Sequence, residues 1–76
     1  MKETVEMILK ALVDEPAAVE VREVEQGTTT RLEVRVAETD MGKVIGRQGR
    51  TVRALRSLLH AAGLKARRRY ILDLVE

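Results

Sequence analysis

Asp40-Met41-Gly42-Lys43-Val44-Ile45-Gly46-Arg47-Gln48-Gly49-Arg50-Thr51-Val52-Arg53-Ala54-Leu55-Arg56 is the stretch on which this chain turns. Gly46 and Gly49 bracket Arg47 and Gln48, an apolar pair (Val44, Ile45) leads in, and a basic helical pattern follows. Glycines at such a turn let backbone approach a ligand closely, and a helix starting just after it aims N–H groups at the same point. With Arg47 and Arg50 beside the glycines, an anionic chain is the natural guest.

Around this stretch the periodicity changes from element to element. Val5, Ile8, Leu9, Leu12 and Val13 fall at i, i+3, i+4, i+7 and i+8, which predicts an amphipathic helix over 1–13. Pro16 ends it by disfavouring helical geometry at Glu15. Residues 18–25 alternate as a strand, with Val24 out of phase, so a bulge or fraying is expected there. After the turn at Gln26-Gly27-Thr28, residues 29–37 alternate cleanly, with Thr30, Leu32, Val34 and Val36 on one face. Asp40 is suited to N-cap a short helix, Met41 to Ile45. Gly42 inside that helix costs propensity, which suggests that something approaches closely there. A longer helix over 50–62 buries Val52, Leu55, Leu58, Leu59 and Ala62 and shows Arg50, Arg53 and Arg56 on a neighbouring face, with Gly63 as its stop. Residues 66–75 make the last strand, opened by Arg67-Arg68-Arg69, with Tyr70, Leu72 and Leu74 inward. A right-handed helical crossover makes the second and last strands parallel if they are neighbours. The expected fold is α+β: one domain over 1–76 with order α-β-β-α-α-β, a three-stranded mixed sheet and three helices on one face.

Composition narrows the function. The net charge is only +2, but residues 1–38 hold five basic and nine acidic side chains, whereas residues 39–76 hold nine basic and three acidic. Halves of −4 and +6 point to a polyanion docking on the C-terminal half. The chain has no cysteine and one histidine, so thiolate and His-based metal sites are not expected, nor is any cofactor. No run is apolar enough for a membrane span, and the N-terminus does not read as a signal peptide. A reducing cytoplasm is the expectation.

Several chemistries lack their residues. The Walker A spacing is missing, and Gly42, Gly46 and Gly49 do not match the dinucleotide fingerprint. His60 stands alone on a helix without a nucleophile-and-acid set, so no enzyme is expected. With one Tyr and neither Phe nor Trp, the sheet cannot stack bases as an RRM sheet does. What remains is a phosphate-gripping turn, in which Arg47 and Gln48 reach phosphates, over an apolar floor of Val44 and Ile45.

Val44-Ile45-Gly46-Arg47-Gln48-Gly49-Arg50 resembles the core signature of the KH domain, (I/V)-I-G-x-x-G. The element order resembles the type II arrangement. Over essentially its whole length the chain is similar to the small stand-alone bacterial KH proteins of the KhpA (YlqC) family. That resemblance implies binding of single-stranded RNA in the manner of an RNA chaperone. It also implies self-association as a homodimer, or pairing with a larger multidomain KH protein, KhpB. Carried over residue by residue, it makes Gly46 and Gly49 the clamp and Arg47 and Gln48 the variable pair. Val44 and Ile45 then line the groove, and Lys43, Arg50 and Arg53 flank it. Two other readings stand beside RNA binding: an interaction module that pairs with protein through its acidic half or open sheet face, and a nucleotide- or anion-binding regulator.

Overall fold

The computed structural model describes residues 1–75; Glu76, the last residue of the expected domain, lies outside them. The helices are α1 (Lys2–Leu12), α2 (Met41–Ile45) and α3 (Arg50–Ala66), and the strands are β1 (Glu20–Gln26), β2 (Thr29–Arg35) and β3 (Arg69–Leu74). Short 3-10 turns at Pro16–Ala18, Glu38–Asp40 and Arg47–Gly49 link them. The sheet order is β1-β2-β3. β1 pairs antiparallel with β2, and β3 pairs parallel with β2 after the α2–α3 crossover. The α+β architecture expected from the sequence is the one found.

Alternation builds the buried face of the sheet. Thr30, Leu32, Val34 and Val36 are all buried, joined by Val21 and by Leu72 of β3. Against them pack Val5 and Leu9 of α1, Val44 of α2, and Val52, Leu55 and Leu59 of α3. One apolar cluster therefore joins every helix to one side of the sheet. Among the described residues no helix is long and apolar enough to cross a membrane.

Five local expectations change. First, β1 and β2 pair in unbroken register from Glu20↔Arg35 to Gln26↔Thr29, so Val24 causes no bulge and simply lies opposite Arg31. Second, Leu12 and Leu58 leave the expected stripes: they are 41% and 61% exposed, beyond the width of the contact each helix makes with the sheet. Third, Gly63 does not stop α3. A Cβ there would lie 2.4 Å from the Arg68 carbonyl oxygen, so glycine is needed where the chain folds back across the helix. The stop is Arg67, in left-handed geometry at φ 56°, ψ 41°.

Fourth, the last strand begins only at Arg69, because Arg67 caps the helix and Arg68 is committed elsewhere. Arg68 donates from Nη2 to Thr30 Oγ1 at 2.8 Å and from Nε to the same atom at 3.1 Å. It thus supplies hydrogen bonds to a buried hydroxyl and ties the start of β3 to β2. Fifth, Asp40 does not cap α2 with its side chain. It is buried, and its carboxylate accepts from the backbone N–H of Asp14 at 3.2 Å and of Glu15 at 3.0 Å. Those two donors lie past the end of α1, just before Pro16 breaks the chain's course, and Asp40 satisfies them from across the fold.

Candidate nucleic-acid interface

The turn between α2 and α3 owes its shape to positive-φ backbone. Gly46 lies at φ 77°, ψ 168°, a conformation essentially reserved for glycine. A Cβ on it would lie 2.2 Å from Thr51 Oγ1 and 2.8 Å from the Thr51 backbone nitrogen, so the first turn of α3 packs directly on the glycine. Gln48 (φ 56°) and Gly49 (φ 73°) follow in left-handed geometry. Gln48 is one of only two non-glycine residues with positive φ among the described residues. The Gly49 N–H bonds to the Gly46 carbonyl at 3.0 Å, and the Gly46 N–H bonds to the Gly42 carbonyl at 2.9 Å, so the loop is short and closed. No side chain caps the N-terminus of α3.

The flanking residues divide into two groups. Arg47, Gln48 and Arg50 are exposed at the tip. Arg53 is turned back: its Nη2 donates to the Gln48 carbonyl at 2.8 Å and its Nε to the Gly49 carbonyl at 3.3 Å. It braces the left-handed pair from behind, neutralising two carbonyls while leaving its charge beside the turn. Arg56 reaches the other way, from Nη2 to the Leu72 carbonyl of β3 at 3.3 Å. The i, i+3, i+6 row of arginines is therefore not a uniform rail.

Val44 is fully buried and supports the turn from the core; the apolar surface beside the glycines belongs to Ile45, which is 38% exposed. Lys43 pairs with Asp14. The hydrogen bond to Asp14 raises its pKa above the ordinary 10.5; slight burial opposes this, and the charges of Asp14 and Asp40 add to it. Gly42 has no protein atom within 4 Å of where a Cβ would stand, so the close approach expected there is not made by the chain itself. It shares an exposed surface of α2 with Lys43 and Ile45.

A second basic region lies at the far end of α3. Arg67 and Arg69 are exposed there and, with His60, Leu64 and Tyr70, line a shallow depression. His60 is exposed, and Tyr70 is half-buried against the core. Among the described residues no group of three or more His, Cys, Asp or Glu side chains is arranged to hold a metal ion.

The structure places Gly46 and Gly49 in one turn with Arg47, Gln48 and Arg50 exposed at its tip. Sequence reasoning missed the partners of Arg53, Arg56, Arg68 and Asp40. None of the four had a local signal: Asp40 stands in a mixed polar run, Glu38-Thr39-Asp40-Met41-Gly42-Lys43, and reads there as a helix cap.

The model of the KhpA/KhpB KH domain matches residues 2–74. The RNA-binding protein KhpA of Halalkalibacterium halodurans is 50% identical over 76 residues, covering 100% of both chains. The RNA-binding protein KhpA of Caldanaerobacter subterraneus subsp. tengcongensis is 49% identical over 75 residues, 99% of this chain and 100% of its own. That of Aquifex aeolicus is 45% identical over 76 residues, 100% of this chain and 96% of its own. No solved structure matches significantly.

Proposed function

The chain belongs to the KhpA/KhpB KH-domain family, and from that premise we propose that it is a non-catalytic binder of single-stranded RNA. The backbone of the strand lies against Gly46 and Gly49, with Arg47, Gln48 and Arg50 on its phosphates. Ile45 is the apolar floor, and Arg53 holds the clamp in shape. Lys43 flanks the site and is partly neutralised by Asp14. Binding that relies on backbone and charge is tolerant of sequence, as suits an RNA chaperone working in the cytoplasm.

One observation carries this most: a turn with three left-handed or glycine-only residues in succession or near it, whose exposed tip is Arg47 and Gln48. Local strain of this kind is kept where function requires it. The test is titration of a labelled single-stranded RNA with the wild type and with Arg47→Asp combined with Gln48→Asp. Both positions are exposed, so the double variant keeps its fold by circular dichroism and loses binding. Salt slopes should show about −0.7 in log K per log salt for each phosphate contacted. Retained affinity in the double variant would refute the clamp.

A second reading has its own observation. Leu58 and Leu64 are 61% and 69% exposed on α3, and Ala54 and Ala61 lie beside them. Such surface suits pairing with a second copy or with a KhpB-like protein, with RNA binding secondary. Sedimentation with and without RNA separates the cases: a strict monomer that binds RNA counts against pairing.

A further inference from the structure

Asp14 and Glu15 follow the end of α1, and the fold fixes them beside α2. Their backbone N–H groups donate to the buried carboxylate of Asp40 at 3.2 Å and 3.0 Å. Asp40 directly precedes α2, so two acids from the N-terminal half stand next to the helix that leads into the turn. The Asp14 side chain, 77% exposed, pairs with Lys43 Nζ. Glu15 accepts from the Thr39 hydroxyl at 3.4 Å and forms no ion pair among the described residues.

Lys43 flanks the turn together with Arg47, Arg50 and Arg53. Among the described residues it is the one of these bases that carries a carboxylate partner. It stands on the last turn of α2 before Gly46, whose N–H bonds to the Gly42 carbonyl at 2.9 Å. Gly42 leaves that surface of α2 open, with no protein atom within 4 Å of where a Cβ would stand. A strand held at Gly46 and Gly49 and continuing over Gly42 brings a phosphate to Lys43. There it meets an occupied ammonium. Carboxylate and phosphate oxygens make the same kind of charge-assisted bond to an ammonium, and two anions at one cation repel each other. The phosphate must displace Asp14 or sit against its charge, and either course weakens the grip.

We propose that Asp14 is a built-in competitor for RNA phosphate at Lys43, lowering affinity so that a bound strand is readily released. This rests on the RNA-binding function proposed above. The competitor is part of the fold: Asp40 fixes the Asp14 backbone, and only the side chain has to swing aside. An exposed ion pair of this kind shifts an equilibrium by at most about fivefold, enough to tune a binder without silencing it. Two effects of the acid are separable. Its charge repels the approaching strand and slows association, as any acid nearby does. Its hold on Lys43 removes a contact from the bound state and speeds dissociation.

The test is titration of a labelled, unstructured single-stranded RNA by fluorescence anisotropy over a series of salt concentrations. Asp14→Asn removes the competitor and keeps the backbone N–H that Asp40 holds. Glu15→Gln is the matched control: it removes the same charge from the adjacent residue without freeing a base. Asp14→Asn should bind about three- to fivefold more tightly than the wild type. Its salt slope should be steeper by about 0.7, and its dissociation after a chase of unlabelled RNA slower. Glu15→Gln should gain under about twofold, from faster association alone. In a Lys43→Met background the Asp14→Asn gain should shrink to that of Glu15→Gln. Urea midpoints check that each variant is folded. An Asp14→Asn affinity equal to that of the wild type or of Glu15→Gln, or a gain that survives in Lys43→Met, overturns this inference alone. If the wild type binds no RNA, the function proposed above falls, and the inference with it.

Discussion

Alanine at position 46 would have to adopt φ 77°, ψ 168°. For a residue with a Cβ this region costs of order 1–3 kcal/mol. The new methyl carbon would also lie 2.2 Å from Thr51 Oγ1, 2.7 Å from its Cβ and 2.8 Å from its backbone nitrogen. A rotamer change can move the hydroxyl but not the nitrogen, so α3 must shift or the turn must be rebuilt. Overpacking of this kind typically adds about 1–3 kcal/mol. Together the two effects predict a loss of roughly 3 kcal/mol or more, against a stability for 76 residues of roughly 4–11 kcal/mol. Urea unfolding followed by circular dichroism measures it, and the midpoint should fall with little change in slope. Gly42→Ala is the matched control: its methyl meets nothing within 4 Å, and it stands within helix α2. That variant should be neutral, or more stable by up to about 1 kcal/mol. A Gly46→Ala protein within about 0.5 kcal/mol of wild type, a margin ordinary for surface substitutions, would refute the account of the turn.

Other perturbations test the supports of the site. Asp40→Ala leaves the N–H groups of Asp14 and Glu15 without their carboxylate; it should cost about 2 kcal/mol in thermal or urea unfolding, and Asp40→Asn less. Arg53→Ala removes the donors on the Gln48 and Gly49 carbonyls. It should change global stability by under about 1 kcal/mol, yet speed amide exchange at Gln48–Arg50 and weaken RNA binding more than Arg53→Lys does. Lys43 has its pKa raised in the fold from 10.5 by Asp14. Its contribution is therefore complete below that unfolded value and is lost as pH rises through the higher folded one. The stability difference between wild type and Asp14→Asn should thus stay flat from neutral to mildly alkaline pH and close only above about 10.5. A difference that closes near neutrality would contradict the pairing.

The fold was legible because its signals are local and repeated. Thr30, Leu32, Val34 and Val36 alternate without a break, and all four are buried. The turn was legible because only glycine tolerates the backbone at Gly46, so the residue type reports the conformation. Gly63 shows the limit of that logic. The same residue type that ends many helices was kept here for a close crossing by the Arg68 carbonyl, a contact between segments that propensity cannot see. Leu58 shows another limit, since helical spacing counts apolar residues but not the width of the surface they meet.

The sequence by itself determined the element order, the alternating core face of β2, the separation of charge into an acidic and a basic half, and the place of the turn at 46–49. Each follows from short-range constraints: side-chain period, backbone sterics and composition. The tertiary structure alone decided what the charged side chains do. Arg50, Arg53 and Arg56 have equal spacing and equal chemistry and are all exposed, yet one stands at the tip of the turn, one braces the turn, and one covers the edge of β3. Arg68 and Asp40 supply hydrogen bonds to groups 38 and 26 residues away in the chain. Long flexible side chains take their partners from whatever the fold brings within reach, and no local pattern encodes that distance.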